Sequence, residues 1–569
     1  FLDQAQDQQA TVSQTPDVVV SRSRPSETFD QIRPGRGMAS GLSRTAAALP
    51  RRSARGFAQG SGIRRSPDLV PRPSAPRARH FPDLSRTDGV AGFPNVNAKY
   101  RPDEHPPLPK LGDVEEPQGA SLAHWKGEWS AADLQSAVED HVMLSWGPSG
   151  PAKDLPTIVD ANGIYLYDSD GKAYLDWTSQ AVCSNFGHDV PSVVMQAVQK
   201  QMQEVPYMYS GMGMVPVRAR LSKLMAELTP GDITGFLFPC GGSEANEAAI
   251  RIARRYTKRH KILNQYRSYH GGSSTTLGAT GDFRRAFSEG SVNGFVKFFN
   301  PQPLGFSWGK TDEEVTEVAL KVLEEQILVE GPETIAALML ESIVGSGGVL
   351  VPPVGYMEGV RALCDKYEIL LIADEVMAGF GRTGEMFAFQ HFENVLPDIV
   401  TSAKGLTGAM LPLSMVGVRD HIKRYFHDNP LGWGATYHAH PVAMACAYES
   451  VKYLIEQKLP ERAKALEPIM MEEINGIVER HPSVKAGRAI GLFGCLDLQG
   501  KDGRAIQPLG TPFTPAVQTL KQALVRNGIM GMFRPPLLHC TPPLVITEPE
   551  LRDGFQRVSR SLAELDAVL

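Results

Sequence analysis

From residue 121 onward the chain alternates between two apolar rhythms. Leu134, Val138 and Val142 recur at helical spacing and predict a helix over residues 131–145. Two short alternating runs follow, Ile164-Tyr-Leu-Tyr-Asp168 and Ala173-Tyr-Leu-Asp-Trp177, bordered by Asn162-Gly163 and Asp170-Gly171. Turn pairs between alternating runs predict a small antiparallel meander. Helices are expected over 191–204, with Pro191 in the first turn, and over 213–229. A strand at Ile233–Phe238 comes next, and another at Ile262–Tyr266. The later runs, Thr334–Leu340 and Ile369–Ala373, are almost entirely apolar, and Pro397–Val400 is a shorter run of similar kind. Apolar runs with helices between them predict a parallel sheet covered on both faces. The expected fold class is α/β.

Residues 1–120 break the pattern. They are rich in Pro, Ser, Arg and Ala, and little order is expected of them. No acidic residue occurs from Met38 to Pro67, while Arg44, Arg51, Arg52, Arg55, Arg64 and Arg65 do. An Arg-rich, Ser-rich, acid-poor stretch is the pattern of an organelle transit segment. Met38 is then a candidate initiator, the mature chain is expected to begin after about Arg55, and the mitochondrial matrix is the expected location. Plastid and cytoplasm are the alternatives.

Composition narrows the class. The 569 residues are 42% hydrophobic, enough for two or three ordinary domains. A formal net charge of -5 gives no reason to expect a nucleic-acid partner. The six cysteines are widely spaced, as neither a disulfide scaffold nor a Cys-rich zinc site would have them. No run approaches the roughly 18 apolar residues of a membrane span.

The candidate chemistry begins where Ile233–Phe238 meets Cys240-Gly241-Gly242-Ser243-Glu244-Ala245-Asn246-Glu247, followed by a helix to about residue 260. A strand, a glycine turn and a helix N-terminus make an anion site. The turn lacks the Lys-Ser/Thr of a nucleotide loop, so a single phosphate suits it better. Tyr269, after a strand end, can stack on a flat ligand. Glu341, Asp374 and Lys404 all lie near the carboxyl ends of predicted strands, where ligands of open α/β sheets bind, and are expected to cluster. Lys404 stands among small residues, Thr401-Ser402-Ala403 and Gly405, and can form an imine with a carbonyl compound if its pKa is lowered. Asp374 can protonate a ring nitrogen. A phosphorylated pyridine aldehyde, pyridoxal 5'-phosphate, satisfies all three groups. The displaced Lys404 amine would then move a proton between substrate and cofactor. Glu375 beside Asp374 would suit a magnesium–nucleotide enzyme, but no Walker-type lysine accompanies it. No His/Cys grouping has metal-ligand spacing, His438 and His440 included, and Ser243 lies in no nucleophile elbow.

These residues, together with Gly163-Ile-Tyr-Leu-Tyr-Asp-Ser-Asp-Gly171, Gly187-His188, Tyr269-His270-Gly271, Ala373-Asp-Glu-Val376, Gly379-Phe-Gly-Arg-Thr-Gly384, Ala403-Lys-Gly-Leu-Thr-Gly408, Thr436-Tyr437, His440-Pro441 and Pro542-Pro-Leu-Val-Ile-Thr547, resemble the class III pyridoxal-phosphate aminotransferases, the omega-amino-acid, taurine–pyruvate and ornithine-type transaminases. The resemblance runs from about Trp146 to the C-terminus. It implies the type I transferase fold: a large domain with a mostly parallel seven-stranded sheet, expected at 191–441, and a small α+β domain from both chain ends, 121–190 and 442–569. It implies a homodimer with shared active sites, or a tetramer built from it. Gly242 and Ser243 would contact the cofactor phosphate, Tyr269 and Val376 would flank its ring, and Glu247 would lie beside it. Thr436 would reach the partner's phosphate. Arg534 would clamp a substrate carboxylate, although it stands closer to Pro542 than the family's arginine does. Trp146, Tyr207 and Tyr209 are candidates for the substrate mouth. The expected reaction is ping-pong transfer from an omega-amino acid or related amine to pyruvate, glyoxylate or 2-oxoglutarate. An aminomutase, decarboxylase or racemase of the same fold is the alternative, and a non-catalytic scaffold subunit a more distant one.

Overall fold

The computed structural model describes residues 129–146, 155–287 and 292–569. The expected transit segment lies outside them. The first element described is the helix Ala131–His141, opened by a capping box between Ser130 and Asp133. It ends short of residue 145, and its apolar positions Leu134 and Val142 stay exposed. The spacing suffices for a helix there, with its start fixed by the cap, but none of its residues is buried.

The meander forms as β1 (Ile158–Asn162), β2 (Tyr165–Asp168) and β3 (Ala173–Asp176), antiparallel in that order. Two helices follow, Ser192–Glu204 and Pro216–Leu228, each beginning slightly later than expected because Pro191 is the N-cap of the first and Pro216 opens the second.

The large sheet has seven strands: β4 (Ile233–Leu237), β5 (Lys261–Gln265), β6 (Phe295–Phe298), β7 (Ile335–Leu340), β8 (Leu370–Asp374), β9 (Ile399–Ser402) and β10 (Met415–Arg419), in the spatial order β4-β10-β9-β8-β7-β5-β6. The pairs from β9 to β6 are parallel, and β10 runs antiparallel to both β9 and β4. The chain between β9 and β10 carries Lys404 and contains no crossover helix, so the strand direction reverses. Alternation explains the continuous apolar run of β7. Ala337 and Met339 pack with Ala245, Ala249 and Ile252 of the helix Gly242–Thr257. Leu338 and Leu340 pack on the opposite side with Leu323 and Ile327 of the helix Asp312–Glu330.

Both ends of the described chain build the smaller part. The remaining strands are β11 (Val484–Ile490), β12 (Phe493–Leu498), β13 (Ile529–Met530), β14 (Phe533–Arg534) and β15 (Leu537–Cys540). β13 joins the meander alongside β3, and the others form a sheet ordered β11-β12-β15-β14. The buried Trp177 packs edge-on against Phe555, 5.0 Å between ring centres, joining the first strands to the last helix.

The segment after β3 departs from ordinary geometry. Ser179, Gln180, Ala181 and Val182 have φ of 47°, 50°, 63° and 65°, a single left-handed turn without glycine. Such residues cost about 1–2 kcal/mol each. Arg382, fully buried, helps hold the turn by donating through Nη2 to Ser179 Oγ and Asn185 Oδ1, both at 3.1 Å. Its Nη1 donates to the carbonyls of Leu492 at 3.0 Å and Pro542 at 2.5 Å.

Candidate active site

Lys404 follows β9 directly, at φ 44°, and is half-buried. Its amine makes no hydrogen bond or ion pair among the described residues. Burial pulls its pKa below the ordinary lysine value, opposed by Cys183, Asp374 and Glu341. A larger fraction of neutral, nucleophilic amine results. Lys404 lines a cavity of ≈160 Å³ with Gly242, Ser243, Asn246, Tyr269, His270, Gly271, Glu341, Ser346, Asp374, Val376 and Met377. Residues far apart in sequence thus meet at the carboxyl end of the large sheet.

Asp374 ends β8 and is buried. Its Oδ2 accepts from Asn246 Nδ2 at 2.8 Å and pairs with His270 Nδ1 at 2.8 Å. Its Oδ1 accepts the Val376 amide at 3.0 Å. Asn246 is fixed in turn, since Thr401 Oγ1 donates to its Oδ1 at 2.6 Å and its Nδ2 also reaches the His270 carbonyl at 2.7 Å. Three elements therefore hold one carboxylate. Glu341, at the end of β7, accepts the amides of Tyr269 at 2.9 Å and Gly345 at 2.8 Å. Burial pushes its pKa up to about 7. Glu375 turns away: it accepts Ser342 Oγ at 2.5 Å and the amides of Ala388 and Phe389 at 2.8 and 3.0 Å.

The glycine turn expected to take a phosphate runs from β4 into a helix start. Gly241 caps the helix Gly242–Thr257. A Cβ on Gly242 would stand 2.8 Å from Val376 Cγ1, and one on Gly271, at φ +136°, only 2.4 Å from Ser243 Oγ. Ser243 Oγ accepts the Gly272 amide at 3.0 Å, which leaves its hydroxyl proton for an anion.

Other expected residues fall elsewhere. Glu247 is not among the cavity residues; its Oε1 accepts Ser273 Oγ at 2.6 Å. One position on a helix rotates a side chain by about 100°, so Asn246, four residues after Gly242, faces the cavity in its place. Helix phase is the signal that finds it. Tyr207 and Tyr209 do not line the Lys404 cavity. Tyr207 donates to the Thr436 carbonyl at 2.7 Å, and Tyr209 and Thr436 line a separate cavity of ≈510 Å³ with Trp433 and His438. The loop carrying both tyrosines packs against the segment around Thr436, which takes them from the mouth expected within one chain. Trp146 does stand beside the site, edge-on to Tyr269 at 6.0 Å. Arg534, on β14, is half-buried, and its guanidinium makes no hydrogen bond or ion pair among the described residues. Burial and the nearby Arg284 lower its pKa to about 10. Arg284 has no counterpart in the sequence reading. Among the described residues no three His, Cys, Asp or Glu side chains are placed to hold a metal ion.

An unpaired lysine, a fixed carboxylate and a glycine-lined anion loop in one cavity fit pyridoxal phosphate, and the fold and site together define an enzyme that uses it. The sequence pattern described as "Aminotransferase class-III" matches residues 150–562. A taurine–pyruvate aminotransferase of Bilophila wadsworthia is 35% identical over 427 residues, 72% of this chain and 92% of that protein. A putrescine–pyruvate aminotransferase of Pseudomonas aeruginosa is 32% identical over 425 residues, 72% of this chain and 91% of that protein. The crystal structure of a taurine:2-oxoglutarate aminotransferase from Bifidobacterium kashiwanohense, in complex with PLP and glutamate, superposes with a TM-score of 0.73 at 39% identity, over 78% of this chain and 99% of that one. An (S)-enantioselective omega-transaminase from Thermomicrobium roseum gives 0.71 at 34%, over 77% and 100%. The chain belongs to the class III aminotransferases, pyridoxal-phosphate-dependent enzymes that move an amino group from an amine donor to a 2-oxo acid. Enzymes of this class generally act as homodimers with shared active sites.

When bound, pyridoxal phosphate supplies a carbonyl for covalent capture of amines and an electron sink. Gly242 and Ser243 would hold its phosphate, Tyr269 and Val376 its ring faces, and Asp374 its ring nitrogen. Lys404 Nζ would attach to it and, when released, would carry a proton at the reacting carbon.

Proposed function

We propose that the amine donor is an omega-amino acid, with its amine on a carbon remote from a carboxylate or similar acid group, and that Arg534 receives that acid group and the carboxylate of the 2-oxo acid in turn. The observation that carries this reading is the half-buried guanidinium of Arg534, which has no side-chain partner among the described residues and whose charge acts on Lys404. A half-buried cation without a partner is costly, and an anionic substrate offsets that cost. Taurine, named for the Bilophila and Bifidobacterium relatives, is one such donor.

The test is a half-reaction screen. Holoenzyme is mixed with taurine, beta-alanine, 4-aminobutyrate, ornithine and simple alkylamines, and loss of its visible absorbance band is followed. Acid-bearing amines should react, and the reaction should stop after one turnover without a 2-oxo acid. Continued turnover with donor alone would indicate an aminomutase or decarboxylase. Arg534→Gln should weaken acids roughly tenfold to a hundredfold, as for a lost hydrogen bond to a charged group, and leave alkylamines unchanged. Equal weakening of both would overturn the role given to Arg534.

We also infer that the functional unit is a homodimer in which Thr436, Tyr207 and Tyr209 serve the partner's site. Their exposure on one chain, away from its own Lys404 cavity, supports this. Analytical ultracentrifugation that finds an active monomer would refute it. For location we propose the mitochondrial matrix, on the Arg-rich stretch after Met38; a rice gamma-aminobutyrate transaminase 1 named as mitochondrial is 34% identical over 472 residues. Imaging of the tagged full-length chain tests it.

A further inference from the structure

Arg284 sits in a short turn after Asp282 and is buried. Its Nε donates to Asp282 Oδ1 and Oδ2 at 3.1 and 2.9 Å; its Nη2 bonds Asp282 Oδ2 and reaches Ser346 Oγ at 3.0 Å. The guanidinium carbon lies 3.5 Å from the centre of the Tyr269 ring and 5.7 Å from that of Trp146. Tyr269 and Ser346 both line the Lys404 cavity. The Nη1 edge makes no bond among the described residues.

The charges divide unequally. Asp282 neutralises Arg284, so Arg284 brings donors to the site without net charge. Arg534, which feels the charges of both Arg284 and Asp282, brings one uncompensated positive charge. Arg284 also occupies Asp282. Without that occupation, the buried Asp282 carboxylate would lack its partner and would draw on Arg534, whose charge it already acts on.

We propose that Arg284 is a second specificity-determining residue, which offers its Nη1 edge to the substrate's acid group beside Arg534 and keeps Asp282 from capturing Arg534, so that the pocket accepts one singly charged acid group at a time. This rests on the reading of Arg534 given above. The pocket then favours carboxylates and sulfonates over doubly charged phosphonates, and monocarboxylic 2-oxo acids over 2-oxodicarboxylates.

The test uses holoenzyme and three donors that differ in the head group: taurine, beta-alanine and 2-aminoethylphosphonate. The phosphonate should react less well than taurine, and the ratio should worsen by about tenfold as pH rises through its second ionisation, since the added negative charge meets no second uncompensated cation. A ratio that does not change with pH would overturn the charge count. Arg284→Gln should raise KM for taurine and for pyruvate together, by several-fold more than it slows the single-turnover donor half-reaction of an alkylamine, which carries no acid group. Asp282→Asn combined with Arg284→Gln should recover much of the loss, because the carboxylate that traps Arg534 is gone. A double variant as impaired as the single would overturn the shielding role. If the alkylamine reacts normally throughout, the acid-recognition proposal alone is at stake. If no acid responds to Arg534→Gln, the parent reading fails.

Discussion

Gly242 and Val376 approach so closely that a Cβ on the glycine would meet Val376 Cγ1 at 2.8 Å. The loop proposed to hold the phosphate and the residue proposed to pack on the cofactor ring thus share one contact. Gly242→Ala should cost about 1–3 kcal/mol, the usual range for overpacking, and weaken pyridoxal phosphate binding in a fluorescence titration. Val376→Ala in the same chain should recover stability. A Gly242→Ala protein that binds the cofactor as wild type does would show that the loop is not this tight.

Asn246 holds Asp374 and His270 at once. Asn246→Ala would leave Thr401 Oγ1 and the His270 carbonyl without their partner. Leaving a buried polar group unsatisfied costs about 1–3 kcal/mol. The expected outcome is a lower denaturation midpoint and a cofactor more easily lost on dialysis. Glu247→Ala should leave cofactor retention almost unchanged, since its carboxylate bonds Ser273. The reverse ranking would return the role to Glu247.

Much of this site was legible in the sequence, for reasons that also explain what was not. Asp374 and Lys404 end apolar strands of a parallel sheet, and topology alone gathers strand ends. The glycine loop is local, so its shape follows from a few adjacent residues. Asn246 depends on the phase of a helix whose first residue must be known to within one position, and Thr257–Lys258 ends it earlier than its polarity suggests. Arg284 reaches Tyr269 only because residues 280–284 fold back, with the Gly281 amide on the Ser268 carbonyl at 3.0 Å. No periodicity encodes that return. Resemblance singles out Thr436, but the pairing of Tyr207 with its carbonyl is a tertiary contact. The antiparallel β10 follows from a missing crossover helix, which a short apolar run cannot reveal.

The pH response of stability has a definite sign at His438. Its Nε2 accepts the Phe238 amide at 3.2 Å, and burial pushes its pKa down from 6.5 to about 4. At this residue the folded protein therefore binds fewer protons than the unfolded chain between these values. Stability from this group is present above pH 6.5 and is lost as pH falls toward 4. Glu341, raised from 4.5 to about 7, acts in the opposite direction: its burial costs stability as pH rises through that window. One variant isolates the histidine. His438→Gln keeps an acceptor for Phe238 without a titrating ring, so its denaturation midpoint should fall less than that of wild type between pH 7 and pH 5. Parallel curves would show that His438 stays protonatable in the fold.

The left-handed turn at Ser179–Val182 makes a prediction that runs against habit. Ala181 has φ 63° and ψ 43°, where an L-residue carries a cost of about 1–2 kcal/mol and glycine almost none. Glycine loses roughly 0.5–1 kcal/mol more conformational entropy on folding. Ala181→Gly should therefore be neutral or up to about 1.5 kcal/mol stabilising, although glycine usually destabilises a structured segment. The turn leads into Cys183, whose thiol lies close enough to Lys404 to affect its titration. A strained element beside a reactive group holds its geometry only while its anchors persist. Here these are Arg382 on Ser179 Oγ, Ser179 Oγ on the Thr541 carbonyl at 2.6 Å, and the Gln180 amide on Asp176 at 3.1 Å. Arg382→Met should loosen them and abolish the benefit of Ala181→Gly in the double variant. Urea titrations of the four proteins measure the coupling. Ala181→Gly destabilising by more than about 1 kcal/mol, as in an ordinary helix, would mean that the turn is not left-handed in solution.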